Sequence, residues 1–188
     1  MTKEKTLVIL KPDVVTRGIV GEILSRFEKI GLKIVALKML SARDEQLLEH
    51  YYKDDSWKME KGKLMIEKSG LPEGTDPIKI GQGIVDSLVR DMQITPVIAM
   101  VLEGHNSVMT VKRLTGPTDI DSAAPGTIRG DYSHDTFMLA NRSNRPNLTI
   151  IHATDDPAEA EREIAIWFNP SEIHSYKKPE EEIHYRKQ

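Results

Sequence analysis

The chain reads as an α+β domain, two βαβ-type halves sharing one sheet with helices packed on one face. Three observations carry that reading. Four short runs rich in Val, Ile and Leu fall at residues 6–10, 33–40, 97–102 and 148–152. Between them apolar residues recur at helical spacing. No Pro/Gly-rich linker separates two hydrophobic cores, so residues 1–188 read as one domain.

Each element follows from its residues. TLVIL at 6–10, stopped by Pro12, is a strand covered on both faces. Ile19, Val20, Ile23, Leu24, Phe27 and Ile30 form a helical stripe, and Gly31 suits the position just past a helix end. Residues 33–40 alternate, placing Val35, Leu37 and Met39 on one strand face. Ser41 to Asp44 signals a helix start, running to about Tyr52. Residues 58–76 are polar and Gly-bearing and predict no element. Asp76-Pro77 opens a helix in which Ile80, Ile84, Leu88 and Met92 recur every fourth residue. A buried strand follows at 97–102, then a helix through Val108, Val111 and Leu114 ending at Gly116-Pro117. Residues 118–147 read as one long loop, which in a compact domain is functional or disordered. The strand at 148–152 leads to Asp156-Pro157-Ala158-Glu159, a capped start for a helix with Ile164, Trp167 and Phe168 on its apolar side. A charged tail, 177–188, closes the chain.

Composition narrows the function. With no cysteine among 188 residues there is no disulfide framework, thiol nucleophile or cysteine zinc site. A net charge of −3 argues against a nucleic-acid binder working by phosphate neutralisation. No apolar run approaches the ~20 residues of a membrane span, and the N-terminus lacks a signal-peptide pattern. The expectation is a cytoplasmic protein with no membrane partner. Aromatic residues are 5%, so a base-stacking site has few candidates. There is no GxxxxGK[ST], GxGxxG or HExxH motif, so phosphate handling would fall to scattered side chains.

Three places carry chemistry. His152 sits where a strand ends and a capped helix is about to begin, a position open to a ligand and favourable to an anion. Imidazole is nucleophilic near neutral pH, and Glu163 lies further along the helix to orient it. Arg129, in Thr127-Ile128-Arg129-Gly130-Asp131, offers a planar fork for phosphate oxygens, with Gly126 and Gly130 allowing close backbone approach. Lys11 follows the first strand as a point charge at the sheet edge. Each has a plainer alternative: a satisfied strand-end histidine, an Arg–Asp surface pair, a solvated strand end. The other histidines (His50, His105, His134, His174, His184) stand in polar or tail contexts and read as surface residues.

These features in this order resemble nucleoside diphosphate kinases. The resemblance runs through TLVILKPDVVTRGIVGEILSRFEKIGLKIVALKML, PVIAMVLEG, GPTD, PGTIRGDY, IIHATDDPAEAEREIAIWF and NPSEI. It implies a ferredoxin-like βαββαβ antiparallel sheet, here with an added helical segment, and ping-pong phosphoryl transfer from a nucleoside triphosphate to a nucleoside diphosphate. It assigns His152 as nucleophile, Glu163 as its orienting carboxylate, and Lys11 and Tyr51 to the transferred phosphate. Thr118 and Arg129 fall to the terminal phosphates, and Thr154 replaces a serine two residues after the histidine. Mg²⁺ would arrive on the nucleotide, with Asp155 as an outer-shell contact and no direct protein ligand. Dimers assembled into tetramers or hexamers are implied as well.

The chain departs from the family pattern at several positions. Lys112 stands for an arginine and loses its fork; Thr149 stands for an asparagine that contacts the ribose; Ile120 stands for a proline. No phenylalanine matches the base-stacking position, leaving Trp57 as the candidate with Leu88 nearby. The extra length falls at about 58–87 and 132–146, both beside the expected nucleotide cleft. The departures leave an alternative, a catalytically impaired nucleotide-binding or assembly protein on the same fold.

Overall fold

The computed structural model describes residues 3–143, 145 and 147–185. At its centre is β1 (Glu4–Leu10), whose Leu7, Val8, Ile9 and Leu10 are all fully buried. A strand with no polar face has nothing to offer water, so both of its faces must be covered. Leu7 and Ile9 pack into one core with Leu47, Val85, Ile164 and Trp167; Val8 and Leu10 pack into another with Ile23, Phe27, Val111 and Ile128. Helices therefore lie on both faces of the sheet, where the sequence predicted one.

The sheet has four strands in the order β2-β3-β1-β4, with β2 at Lys33–Leu40, β3 at Val97–Gly104 and β4 at Ile151–Ala153. All neighbours are antiparallel. From β1 the chain passes through α1 (Pro12–Thr16) and α2 (Val20–Lys29) to β2, and from β3 through α6 (Ser107–Thr115) towards β4. Each crossover skips one strand, which interleaves the two βαβ halves as in a ferredoxin-like sheet. The opposite face carries α3 (Asp44–His50), α5 (Pro77–Asp91) and α9 (Pro157–Trp167).

Several elements differ from expectation. Residues 58–76, predicted to be shapeless, lie mostly within α4 (Asp55–Ser69), capped by Asp54 accepting from the Trp57 amide. This helix lacks an apolar stripe because it meets α5 backbone to backbone. A Cβ on Gly62 would lie 1.8 Å from the Pro77 carbonyl oxygen, and one on Gly81 would lie 2.2 Å from that of Lys58. The long loop holds α7 (Ile128–Tyr132) and α8 (Phe137–Arg142), helices too short to show a period. In β2 a register shift between Ile34 and Ala36 reverses the alternation, so Val35 is buried while Leu37 and Met39 are exposed. The helix expected from Ser41 starts at Asp44, with Arg43 as an N-cap that makes no side-chain bond.

The segment leading into the charged tail, and Glu181 within the tail, are tied to the rest of the chain. The His174 amide donates to the Val35 carbonyl and the Tyr176 hydroxyl to that of Ile34, partly covering the outer edge of β2. In α10 (Glu181–His184), Glu181 pairs with Lys3 at 2.5 Å and Lys33 at 3.0 Å. Asn144 and Pro146 in the second extra segment, and residues 186–188 of the tail, lie outside the described residues.

Candidate active site

His152 lies in β4 opposite Ile9 of β1, half-buried. Asp156 accepts from the Glu159 amide, and Pro157 fixes the first turn of α9, so the helix starts where the sequence placed it. One and a half turns on, Glu163 points back, and its Oε2 lies 2.9 Å from His152 Nε2. The same oxygen accepts from the Thr154 hydroxyl at 2.6 Å; the Leu7 carbonyl, at 3.3 Å from that hydroxyl, is the weaker partner for its one proton. A carboxylate only accepts, so Nε2 carries the proton in this contact and Nδ1 is left with its lone pair.

His50, expected on the surface, is 2% exposed and packs edge-on against His152 with ring centroids 4.5 Å apart. The Trp167 indole N–H donates to His50 Nδ1 at 3.3 Å. Burial, then the neighbouring His152, lowers the His50 pKa to about 2, so the ring is neutral and its proton sits on Nε2. That Nε2 has no hydrogen-bond partner among the described residues. His105, His134 and His174 are exposed as predicted, and the side chain of His184 lies outside the described residues.

The peptide leading into His152 is clamped. Arg129, 7% exposed, donates from Nε to the Thr149 carbonyl at 3.2 Å, from Nη2 to that of Ile151 at 2.7 Å, and from Nη1 to that of Gly116 at 2.7 Å. The Lys11 amide takes the carbonyl between them, that of Ile150, at 2.9 Å. Ile150 is held at φ +55°, a region that β-branched residues avoid, which is why β4 begins only at Ile151. Arg129 is therefore not a surface partner of Asp131, which pairs with Arg26. Burial lowers the Arg129 pKa to about 10. A Cβ on Gly130 would lie 2.2 Å from the Ala124 carbonyl oxygen, so the expected close approach is present there.

Lys11 is buried, not solvated: its Nζ lies 2.9 Å from Asp91 Oδ2, and both side chains are under 5% exposed. Tyr51, beside His50, is also buried, and that burial raises its phenol pKa. On the rim, Lys112 pairs with the exposed carboxylate of Asp155. Thr118 is exposed and Thr149 buried. Trp57 and Leu88 are half-buried against the core on the α5 face. Sequence reasoning missed His50 and Asp91; neither stands in a motif, and only the fold reveals their burial. Among the described residues, His50, His152 and Glu163 alone bring three metal-capable donors within 4.8 Å. Two imidazoles and one carboxylate suit a softer ion than Mg²⁺, whereas Asp155 supplies the hard oxygen that Mg²⁺ prefers. A cavity of about 700 Å³ lies elsewhere, along the outer edge of β2.

A family model described as nucleoside diphosphate kinase matches residues 4–69 and 78–173, leaving out within that span the turn between α4 and α5 and the first residue of α5. A nucleoside diphosphate kinase of Pyrobaculum aerophilum is 48% identical over 181 residues, 92% of this chain and 99% of the relative. One from Borreliella burgdorferi is 38% identical, covering 98% of this chain and 99% of the relative. The solved P. aerophilum NDP kinase superposes with a TM-score of 0.85 at 45% identity, covering 93% of this chain and all of that one. A Borrelia burgdorferi enzyme, solved as a transition-state mimic with vanadate and ADP, superposes at 0.80 with 37% identity and 97% of each chain covered. With these matches running through the clamped histidine and the sheet that carries it, the chain belongs to the nucleoside diphosphate kinase family.

Proposed function

We propose that this chain moves the terminal phosphoryl group of a nucleoside triphosphate to a nucleoside diphosphate by way of His152. The observation that carries this is the His152–Glu163 contact, which leaves Nδ1 as a free nucleophile. Nδ1 attacks the terminal phosphorus, an N–P bond forms, and the bond to the bridging oxygen breaks. The diphosphate leaves with that electron pair. A terminal phosphate oxygen of the second nucleotide then attacks, and the N–P electrons return to Nδ1. Glu163 stabilises the positive charge that appears on the ring, as carboxylates do for catalytic histidines.

Lys11, with Tyr51 as a neutral donor, supplies charge and hydrogen bonds to the moving phosphoryl group. Lys112, Thr118 and the donors Arg129 has left are assigned to the other phosphates, Thr149 to the ribose, and Trp57 and Leu88 to the base. Asp155 would be the outer-shell contact of Mg²⁺ carried in on the nucleotide, an ion that would supply charge neutralisation to the phosphates. In this reading the whole chain is one kinase domain, its extra segments at 58–87 and 132–146 edge the nucleotide cleft, and the protein works in the cytoplasm as dimers built into tetramers or hexamers.

The test is incubation with radiolabelled ATP and Mg²⁺. An acid-labile, base-stable phosphate should appear on the wild type, pass to GDP, and be absent from His152→Ala. Label surviving in His152→Ala would overturn the assignment. Sedimentation tests the assembly, and a monomer would remove that part.

A further inference from the structure

We propose that Asp91 is a positioning residue of this site, holding the Lys11 ammonium charged and in one place at the end of β1. The inference rests on the reading of Lys11 as the phosphate-binding cation. No sequence motif marks Asp91, which comes from 80 residues away.

Asp91 is otherwise hard to account for. It is the last residue of α5, where the helix dipole disfavours a negative charge, and it is 2% exposed. It also stands near Asp13, whose carboxyl is pushed up by its own burial and then by Asp91. A buried charge persists when it is paired and hydrogen-bonded, and Lys11 at 2.9 Å meets both needs.

The dependence also runs the other way. A lysine this deeply buried tends to lose its proton. Burial pushes Lys11 down, Tyr51 and Asp91 more than offset it, and Arg129 opposes them, with a net rise. The Tyr51 phenol is itself raised and uncharged at neutral pH, so Asp91 is the group that acts there. The charged and titratable groups around Lys11 are Tyr51 and His50 at the end of α3, Asp13 on α1, Arg129 on α7 and Asp91 on α5. Of the three ammonium hydrogens, one goes to Asp91 and two remain for phosphate oxygens. The Gly62 and Gly81 contacts fix α5 against α4, so the carboxylate is presented by a braced element rather than a loop.

The experiment compares Asp91→Asn, Asp91→Glu and Lys11→Met with the wild type. The readouts are kcat, KM, the pH dependence of His152 phosphorylation by ATP and Mg²⁺, and Tm. Asp91→Asn should lower kcat roughly 10–100-fold with a smaller change in KM. It should also bring in a basic limb as the Lys11 amine loses its proton at lower pH. Asp91→Glu should return that limb to its wild-type position while kcat stays several-fold low. In a Lys11→Met background Asp91→Asn should change the rate no further. A merely structural role would lower Tm and leave the pH profile unmoved, and that result overturns the proposal.

If Lys11→Met is inactive while Asp91→Asn matches wild type, the Lys11 reading stands and the Asp91 proposal falls. A fully active Lys11→Met overturns both. Should Asp91→Asn not fold, Asp91→Glu decides: wild-type kcat in that variant overturns the positioning role.

Discussion

Two lysine–aspartate pairs face the proposed phosphate site, and they differ in one respect. Lys11–Asp91 is sealed, with side chains 4% and 3% exposed; Lys112–Asp155 is open, with 41% and 78%. The sealed pair is part of the packing, because neither charge can be left alone in a dry place. The open pair has water as a ready substitute and is weak for that reason. The same two functional groups thus serve as a fixed part and a releasable one. Under the proposed function, Lys112 and Asp155 would part as a nucleotide and its metal ion arrive, while Lys11 would stay where Asp91 keeps it.

The largest expected effect breaks the sealed pair from the lysine side. Lys11→Met should slow His152 phosphorylation by roughly 10²–10³-fold, the range for losing a charge-stabilising donor. It should also destabilise the fold by about 3–5 kcal/mol, because Asp91 is stranded. Single-turnover labelling and urea titration read the two losses, and an unchanged urea midpoint would contradict the sealed-pair account.

Next is Glu163→Gln. An amide keeps the shape but carries no charge to balance the imidazolium, so phosphorylation should slow by about 10²-fold. Thr154→Val, which removes one donor to that carboxylate, should cost nearer ~1 kcal/mol in stability.

A buried group kept neutral sharpens the contrast through pH. The folded-state pKa of His50 is about 2 against an ordinary 6.5, so the unfolded chain binds more protons between those values. The stability that comes from keeping His50 neutral is complete above pH 6.5. It is lost as pH falls towards 2, by up to ~1.4 kcal/mol per unit. Urea midpoints measured at pH 7.5 and 5 should show a drop in wild type that is smaller in His50→Phe. Equal drops would contradict this origin.

The smallest effects belong to the open pair. Lys112→Ala should change unfolding stability by no more than ~0.5 kcal/mol. Lys112→Arg should tighten nucleotide binding a few-fold by restoring a fork, and the gain should shrink with added salt. A gain insensitive to salt would mean the pair is not as exposed as the structure has it.

The sequence disclosed the parts whose reasons are local. The β1 run, the α2 stripe, the Asp156-Pro157 cap and the position of His152 each follow from neighbouring residues, and each appears in the structure. What escaped depends on contacts across the chain. Helix α4 shows no stripe because it packs through Gly62 against Pro77. One irregular step in β2 turned Leu37 and Met39 outward. His50 looked polar in its neighbourhood until Trp167 and Glu163 of α9 closed over it. Asp91 reads as an ordinary helix-end acid until Lys11 arrives beside it.

The run of carbonyls from Thr149 to Ile151 has a bearing on which substitutions this chain can accept. Two of them are caught by the Nε and Nη2 of one guanidinium and the third by the Lys11 amide, with Ile150 twisted between. A lysine at position 129 would keep a positive charge for phosphate, yet a single ammonium lacks the width to grip both carbonyls. Released, Ile150 would relax to an extended conformation, and in a strand a change of that kind sends the following side chains to the wrong face. The route by which Arg129 is lost would thus run through misdirection of His152, and a variant chosen only for charge would inherit a well-folded sheet with its nucleophile turned away.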